Sequence, residues 1–171
     1  ATVDYFKSTL EELYAENNGI VDFSASISNL TNLRNLMLSN NEGTYDSSLV
    51  SALSELTNIE ILTLSGKDLR SLSFLQYMPN IVRLDVAECN LPAYYFETWS
   101  EETNESGQKR ITISSFVDNV SMLLETRLSL QVLDINNNGL AYSATDMVAY
   151  LENMGADMTD VVSLYFSGDS P

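Results

Sequence analysis

Residue types that carry chemistry are few in this chain, and where they occur the spacing is incomplete. Asp134-Ile-Asn136-Asn-Asn138-Gly139 places three oxygen-bearing side chains at alternate positions ahead of a glycine, the opening of a calcium-binding loop. The twelfth position of such a loop needs a bidentate carboxylate. Here it is Thr145, and Asp146 comes one residue late. The acidic pairs Glu11–Glu12 and Glu101–Glu102 have no matched acid or base near them in sequence and are expected to be solvated surface. The chain has no histidine, which removes the commonest general base and zinc ligand. The single cysteine, Cys89, has no internal disulfide partner. No glycine-rich loop is present to cradle phosphate. Catalysis, a resident metal and a cofactor are therefore not expected.

Bulk properties narrow the partners. The 171 residues carry 24 acidic and 8 basic side chains, a formal charge of -16, with 44% hydrophobic residues. The apolar content is that of a globular chain with a sizeable core. The charge repels nucleic acid and anionic membrane, and no apolar run approaches the roughly 20 residues that span a bilayer. A basic protein, a neutral glycan or a cation fits better. Asn29-Leu-Thr31, Asn104-Glu-Ser106 and Asn119-Val-Ser121 are formal glycosylation acceptors, relevant only on a eukaryotic secretory route.

The element that must position any site is a repeated phrase. Leu33-x-x-Leu36-x-Leu38-x-x-Asn41 recurs as Ile59-x-x-Leu62-x-Leu64, Ile81-x-x-Leu84-x-Val86-x-x-Cys89-x-Leu91 and Leu130-x-x-Leu133-x-Ile135-x-x-Asn138-x-Leu140. Weaker members are Ile111-x-Ile113-x-x-Phe116 and Val161-x-x-Leu164-x-Phe166-x-x-Asp169. Alternation at the end of each phrase predicts a short strand, and the asparagine is suited to bond free backbone groups in the turn. One unit cannot bury its apolar face, whereas stacked units share a continuous core. Asn138 cannot both cap this turn and ligate calcium, so the repeat reading displaces the metal. Cys89 stands in the asparagine position and is expected to be a buried turn residue. Lys67 in that position, and Gly43 where leucine is expected, depart from the phrase.

These phrases resemble those of the leucine-rich repeat superfamily. The short units are similar to internalin-like bacterial surface proteins and the longer ones to the ribonuclease-inhibitor style. Asp134–Gly139 also resembles the start of an EF-hand loop or a dockerin module. The first resemblance covers roughly residues 20–170. It implies an α/β solenoid, a curved right-handed coil with a parallel sheet on its concave face and an irregular, partly helical convex side. It also implies protein or glycan recognition rather than chemistry. Residues 1–19 are expected to form a capping helix, with Val3, Phe6, Leu10 and Leu13 at helical spacing over 2–16, and residues 20–171 about six or seven irregular units. Convex helices are predicted near 48–56, 115–128 and 143–154, with a single helical turn before Pro79. A short helix or turn near 94–99, then an exposed loop, is expected ahead of the unit around Ile111.

Between the buried strand positions, side chains face outward. The central column is expected to run Met37, Thr63, Asp85, Thr112, Asp134 and Tyr165. The column before it runs Asn35, Ile61, Arg83, Arg110, Val132 and Ser163, and the column after it Ser39, Ser65, Ala87, Ser114, Asn136 and Ser167. Met37, Ile61, Arg83, Asp85, Arg110, Asp134 and Tyr165 are the candidate binding residues, since apolar, arginine and tyrosine side chains anchor interfaces. Tyr94, Tyr95, Phe96 and Trp99 form a rival cluster. The expected role is a binding module of an extracellular or cell-surface bacterial protein. An intracellular adaptor and a structural spacer are the alternatives.

Overall fold

The computed structural model describes all residues except 1–2, 42–46, 127–128, 141–151, 153–154, 158, 160 and 167–171. Its main body is a parallel five-stranded sheet of three-residue strands, ordered β1 (Glu12–Tyr14), β2 (Asn35–Met37), β3 (Ile61–Thr63), β4 (Arg83–Asp85) and β7 (Val132–Asp134). The phrase leucines set the register: Leu13, Leu36, Leu62, Leu84 and Leu133 are partners from strand to strand. Leu36, Leu62 and Leu84 have no exposure, and Leu38, Leu64 and Val86 lie beside them in the same core. Convex turns close that core from the other side. They are α1 (Ser24–Ile27), α2 (Ser47–Ser54), which buries Leu49 and Leu53, a 3-10 turn over Ser73–Tyr77, which buries Phe74 and Leu75, and α3 (Asn119–Thr126).

Each turn leaves the sheet through a left-handed residue three positions beyond the strand: Asn17, Asn40, Gly66, Glu88 and Asn137, all with positive φ. Asparagine and glycine tolerate this conformation and glutamate does not. Glu88 gains only an exposed bond from Asn137 Nδ2, at 3.2 Å. Glu88→Asn is therefore expected to stabilise the fold by about 1 kcal/mol, read as a rise in Tm of about 2–4 °C.

Three sequence expectations are corrected. First, residues 2–16 do not form one helix. A four-residue 3-10 helix, Val3–Phe6, is followed by β1, so the sheet begins inside the stretch expected to be a cap. Leu13 fits a helical stripe, but it also fills the place beside Leu36 that the parallel ladder provides. Second, residues 94–118 are not a helix, a loop and a repeat. They form a hairpin of two ten-residue strands, β5 (Tyr94–Thr103) and β6 (Lys109–Asp118), paired antiparallel. The turn is built by Asn104, whose Oδ1 accepts from Ser106 N and Gln108 N at 3.0 Å, and by Gly107 at φ 78. Third, the last phrase does not join the main sheet. β8 (Val161–Phe166) pairs parallel with β6, giving a separate sheet ordered β5-β6-β8, and β4 pairs directly with β7. The expected helix over 115–128 is accordingly shorter, because Phe116 belongs to β6. The predicted helix over 143–154 falls, apart from residue 152, outside the described residues.

Candidate concave binding face

The turn residues are committed to the frame. Asn138 Oδ1 accepts from Cys89 N and Leu91 N at 3.0 and 3.1 Å, while Nδ2 donates to Val86 O and Ile135 O at 2.7 and 3.0 Å. Asn41 makes the same four bonds one end of the sheet away, with Asn18 N, Ile20 N, Ala15 O and Leu38 O. With both ends of its amide engaged, Asn138 is oriented toward the turn. Cys89 imitates the donor half, its thiol lying 3.2 Å from Leu64 O. Burial pushes that thiol up to about 12. Reaction of Cys89 with a thiol reagent at pH 8 is expected to be about a thousandfold or more slower in the native chain than in urea.

The outward-facing columns can now be placed. One column runs Glu12, Asn35, Ile61, Arg83 and Val132, and the next Tyr14, Met37, Thr63, Asp85 and Asp134. Five of the seven predicted site residues, Met37, Ile61, Arg83, Asp85 and Asp134, therefore share one sheet face. Arg110 and Tyr165 do not. Arg110 lies in β6, opposite Glu102 and Ser163, and Tyr165 lies in β8 opposite Thr112. The rival aromatic cluster belongs to the hairpin. Phe96 is buried, and Tyr94 meets Phe116 edge-on with ring centroids 5.8 Å apart. Tyr95 and Trp99 are half-buried on the same strand.

Glu12, Tyr14 and Glu16 extend the face, and sequence reasoning missed them because β1 was expected to be helical. The half-phrase Leu13-x-Ala15-x-x-Asn18 was the available signal. Val132, half-exposed at 49%, was placed in a column but not among the predicted binding residues.

Most carboxylates on this face are satisfied by neutral donors. Glu12 accepts from Tyr14 OH at 2.8 Å and from Asn35 Nδ2 at 3.1 Å, and the first bond raises the phenol above its ordinary value. Thr63 Oγ1 donates to Glu16 at 3.4 Å, Ser65 Oγ donates to Asp85, and Asn136 N donates to Asp134 at 3.1 Å. Asp85 and Asp134 are register partners, so two like charges stand about 5 Å apart at Cβ across β4 and β7. The Arg83 side chain is exposed and has no hydrogen bond or ion pair among the described residues. Its register partners on either side are apolar, Ile61 and Val132.

Other cations are held elsewhere. Arg34 pairs with Glu60, Arg70 with Asp68 at 2.9 Å, and Lys109 with Asp157 and, at 3.4 Å, Glu101. The Lys109 bond holds Asp157 down to about 2, with bonds from Thr159 adding to the effect. This carboxylate's folded value lies below its ordinary 3.8, so its contribution to stability is complete above that pH and fades as pH falls through about 2. Lys109→Met is expected to bring the Asp157 titration, followed by NMR, back toward its ordinary value. Among the described residues no cluster of three or more His, Cys, Asp or Glu side chains could hold a metal ion. Among them, too, no helix is long and apolar enough to cross a membrane.

Comparison with known proteins agrees with this geometry. No protein-family model matches the chain, and no curated protein does. Among solved structures it is similar to an internalin, InlF, of Listeria monocytogenes, with a TM-score of 0.55 and 18% identity over 94% of this chain. The fold is a leucine-rich repeat solenoid. The aligned region covers 36% of the internalin, so the chain spans about a third of that protein's length. In the solenoid frame the five-stranded sheet is the concave layer, and the columns through Ile61–Arg83–Val132 and Asp85–Asp134 lie on its open side. The β5–β6 hairpin interrupts the repeats between β4 and β7.

Proposed function

We propose that this leucine-rich repeat domain is a non-catalytic recognition module of a bacterial surface or secreted protein, and that it binds a protein partner through the concave sheet. The observation that carries the reading is Arg83, an exposed arginine without a described partner, held between Ile61 and Val132. Arginine surrounded by apolar groups gains most when a partner excludes water from it. The adjoining Asp85–Asp134 pair favours a partner that also presents a lysine or arginine, since an opposite charge there relieves the cross-strand repulsion. Polar groups of this face that might serve as acids or bases are tied up as hydrogen-bond acceptors, the chain has no histidine, and Cys89 is buried. These features support binding over catalysis.

The test is capture from the secreted and surface fractions of the source organism by the parent chain and by an I61E/V132E variant, with circular dichroism showing both folded. Capture of a protein by the parent alone supports the reading. A glycan as the captured species replaces the partner class, and equal capture by both variants moves recognition off the concave sheet.

A further inference from the structure

The chain holds two Asn-Gly pairs, Asn18-Gly19 and Asn138-Gly139, and both asparagines stand at the same place in the repeat phrase. Asparagine is thermolabile, most of all ahead of glycine, whose amide nitrogen has no side chain to shield it. The structure gives the two pairs opposite surroundings. Asn138 is held by four hydrogen bonds through both ends of its amide. Gly139 is pinned as well. Its carbonyl accepts from Ala93 N at 3.1 Å, and Leu91 O lies 3.5 Å from where a Cβ would stand.

Asn18 lies in the first turn of the main sheet. For Asn138 three of the four partners, Cys89 N, Leu91 N and Val86 O, belong to the preceding turn, and Asn41 takes Asn18 N, Ile20 N and Ala15 O in the same way. Asn18 has no such set among the described residues. Its Nδ2 donates to Glu16 O at 2.8 Å, its Oδ1 accepts nothing, and Gly19 N donates to nothing. Asn18 and Gly19 are both exposed. One exposed bond opens far more readily than four bonds that join two turns.

We infer that Asn18 is a site of spontaneous modification, deamidation and isomerisation to isoaspartate, and that the product loosens the β1 end of the concave sheet. Gly19 N gives its proton to solvent and attacks Asn18 Cγ. The new N–Cγ bond closes a succinimide ring, the Cγ–Nδ2 bond breaks, and Nδ2 leaves as ammonia with a proton from solvent. Water then opens the ring, its hydroxyl going to a ring carbonyl carbon and its proton to the nitrogen. Opening at Cγ gives aspartate. Opening at the main-chain carbonyl gives isoaspartate, whose main chain runs through Cβ and Cγ. Asn18 N and Ile20 N now converge on Asn41 Oδ1, both at 3.1 Å. A main chain lengthened between them cannot keep both bonds. The new carboxylate also adds a negative charge beside Glu16, in a chain already at -16.

The test incubates the folded chain in mildly alkaline buffer and maps its peptides by mass spectrometry, with fragmentation to locate each gain of a single mass unit. Conversion at Asn18 is expected to be about tenfold or more faster than at Asn138 in the folded chain, and about equal to it in urea. Asn18→Gln is expected to remove the gain from that peptide. The isolated isoaspartate form is expected to melt about 2–4 °C below the parent, the loss of one hydrogen bond. Equal rates at the two sites in the folded chain, or a gain that persists in Asn18→Gln, would overturn the site. An unchanged Tm in the isoaspartate form would overturn the loosening of β1.

Discussion

Asn119→Ala is expected to lower the free energy of unfolding by about 3 kcal/mol, seen as a fall in Tm of about 6–12 °C. Asn119 has no solvent exposure. Its Oδ1 accepts from Leu72 N at 2.8 Å, and its Nδ2 donates to Arg70 O at 2.8 Å and Pro92 O at 2.9 Å. Its own backbone N–H reaches Ala93 O at 2.9 Å. One side chain thus ties the coil before β4, the entry to the hairpin and the start of α3. Alanine removes these bonds from the buried Leu72 N–H, at about 1–3 kcal/mol before any relaxation, and from the half-buried carbonyls of Arg70 and Pro92, at less. Asn119→Asp separates this account from simple loss of volume. The carboxylate keeps the acceptor but faces two carbonyls, so its folded-state proton affinity is raised. Its stability is then expected to fall as pH rises above about 4, where the unfolded carboxyl ionises. A pH-independent loss would point to packing alone. The same burial removes Asn119-Val-Ser121 as a glycosylation acceptor in the folded chain.

Arg83→Glu is expected to weaken binding to the captured partner by about 100-fold, or about 2.7 kcal/mol, with no change in circular dichroism. The side chain is exposed and supports nothing in the fold, so its removal is read at the interface. Arg83→Ala is expected to cost less, about tenfold, because it removes the attraction without adding a third carboxylate beside Asp85 and Asp134. Arg110→Glu is the matched control. Arg110 carries the same charge, but β6 belongs to the other sheet. A change of about twofold or less is expected there. Calorimetric titration of all three variants checks the ranking, and a larger loss for Arg110→Glu would place the interface on the hairpin.

The contrast between these two arginines shows what was legible in the sequence. Ile61, Arg83, Asp85 and Asp134 ride on phrases whose three apolar strand positions are all filled, so that their spacing determines both the strand and which side chains face outward. Arg110 stands before an incomplete one, and Tyr165 lies in the last, whose strand pairs with β6. Ile111-x-Ile113 alternates equally well as a repeat strand and as half of a hairpin, and in the hairpin both isoleucines are fully buried. What decides between them is pairing with β5, a contact set by the Asn104–Gly107 turn and by the β-forming run Tyr94–Thr103 rather than by the phrase itself. Once β6 lies in a second sheet, Val161–Phe166 follows it there, and the outward columns shorten by two members. At the other end, Leu10 and Leu13 satisfy a helical period locally, and only the ladder with β2 reveals Leu13 as a strand residue. Local periodicity therefore carried the core, while strand pairing, which is non-local, decided the extent of the face.

The most direct test of recognition through the concave sheet is site-specific photo-crosslinking to the partner in the secreted and surface fractions. A photoreactive residue is placed at Ile61, at Ser51 on the convex helix α2, and at Thr98 on the exposed side of β5. The account predicts a crosslinked protein from position 61 and none from positions 51 or 98. Crosslinking from 51 or 98, with none from 61, would contradict it.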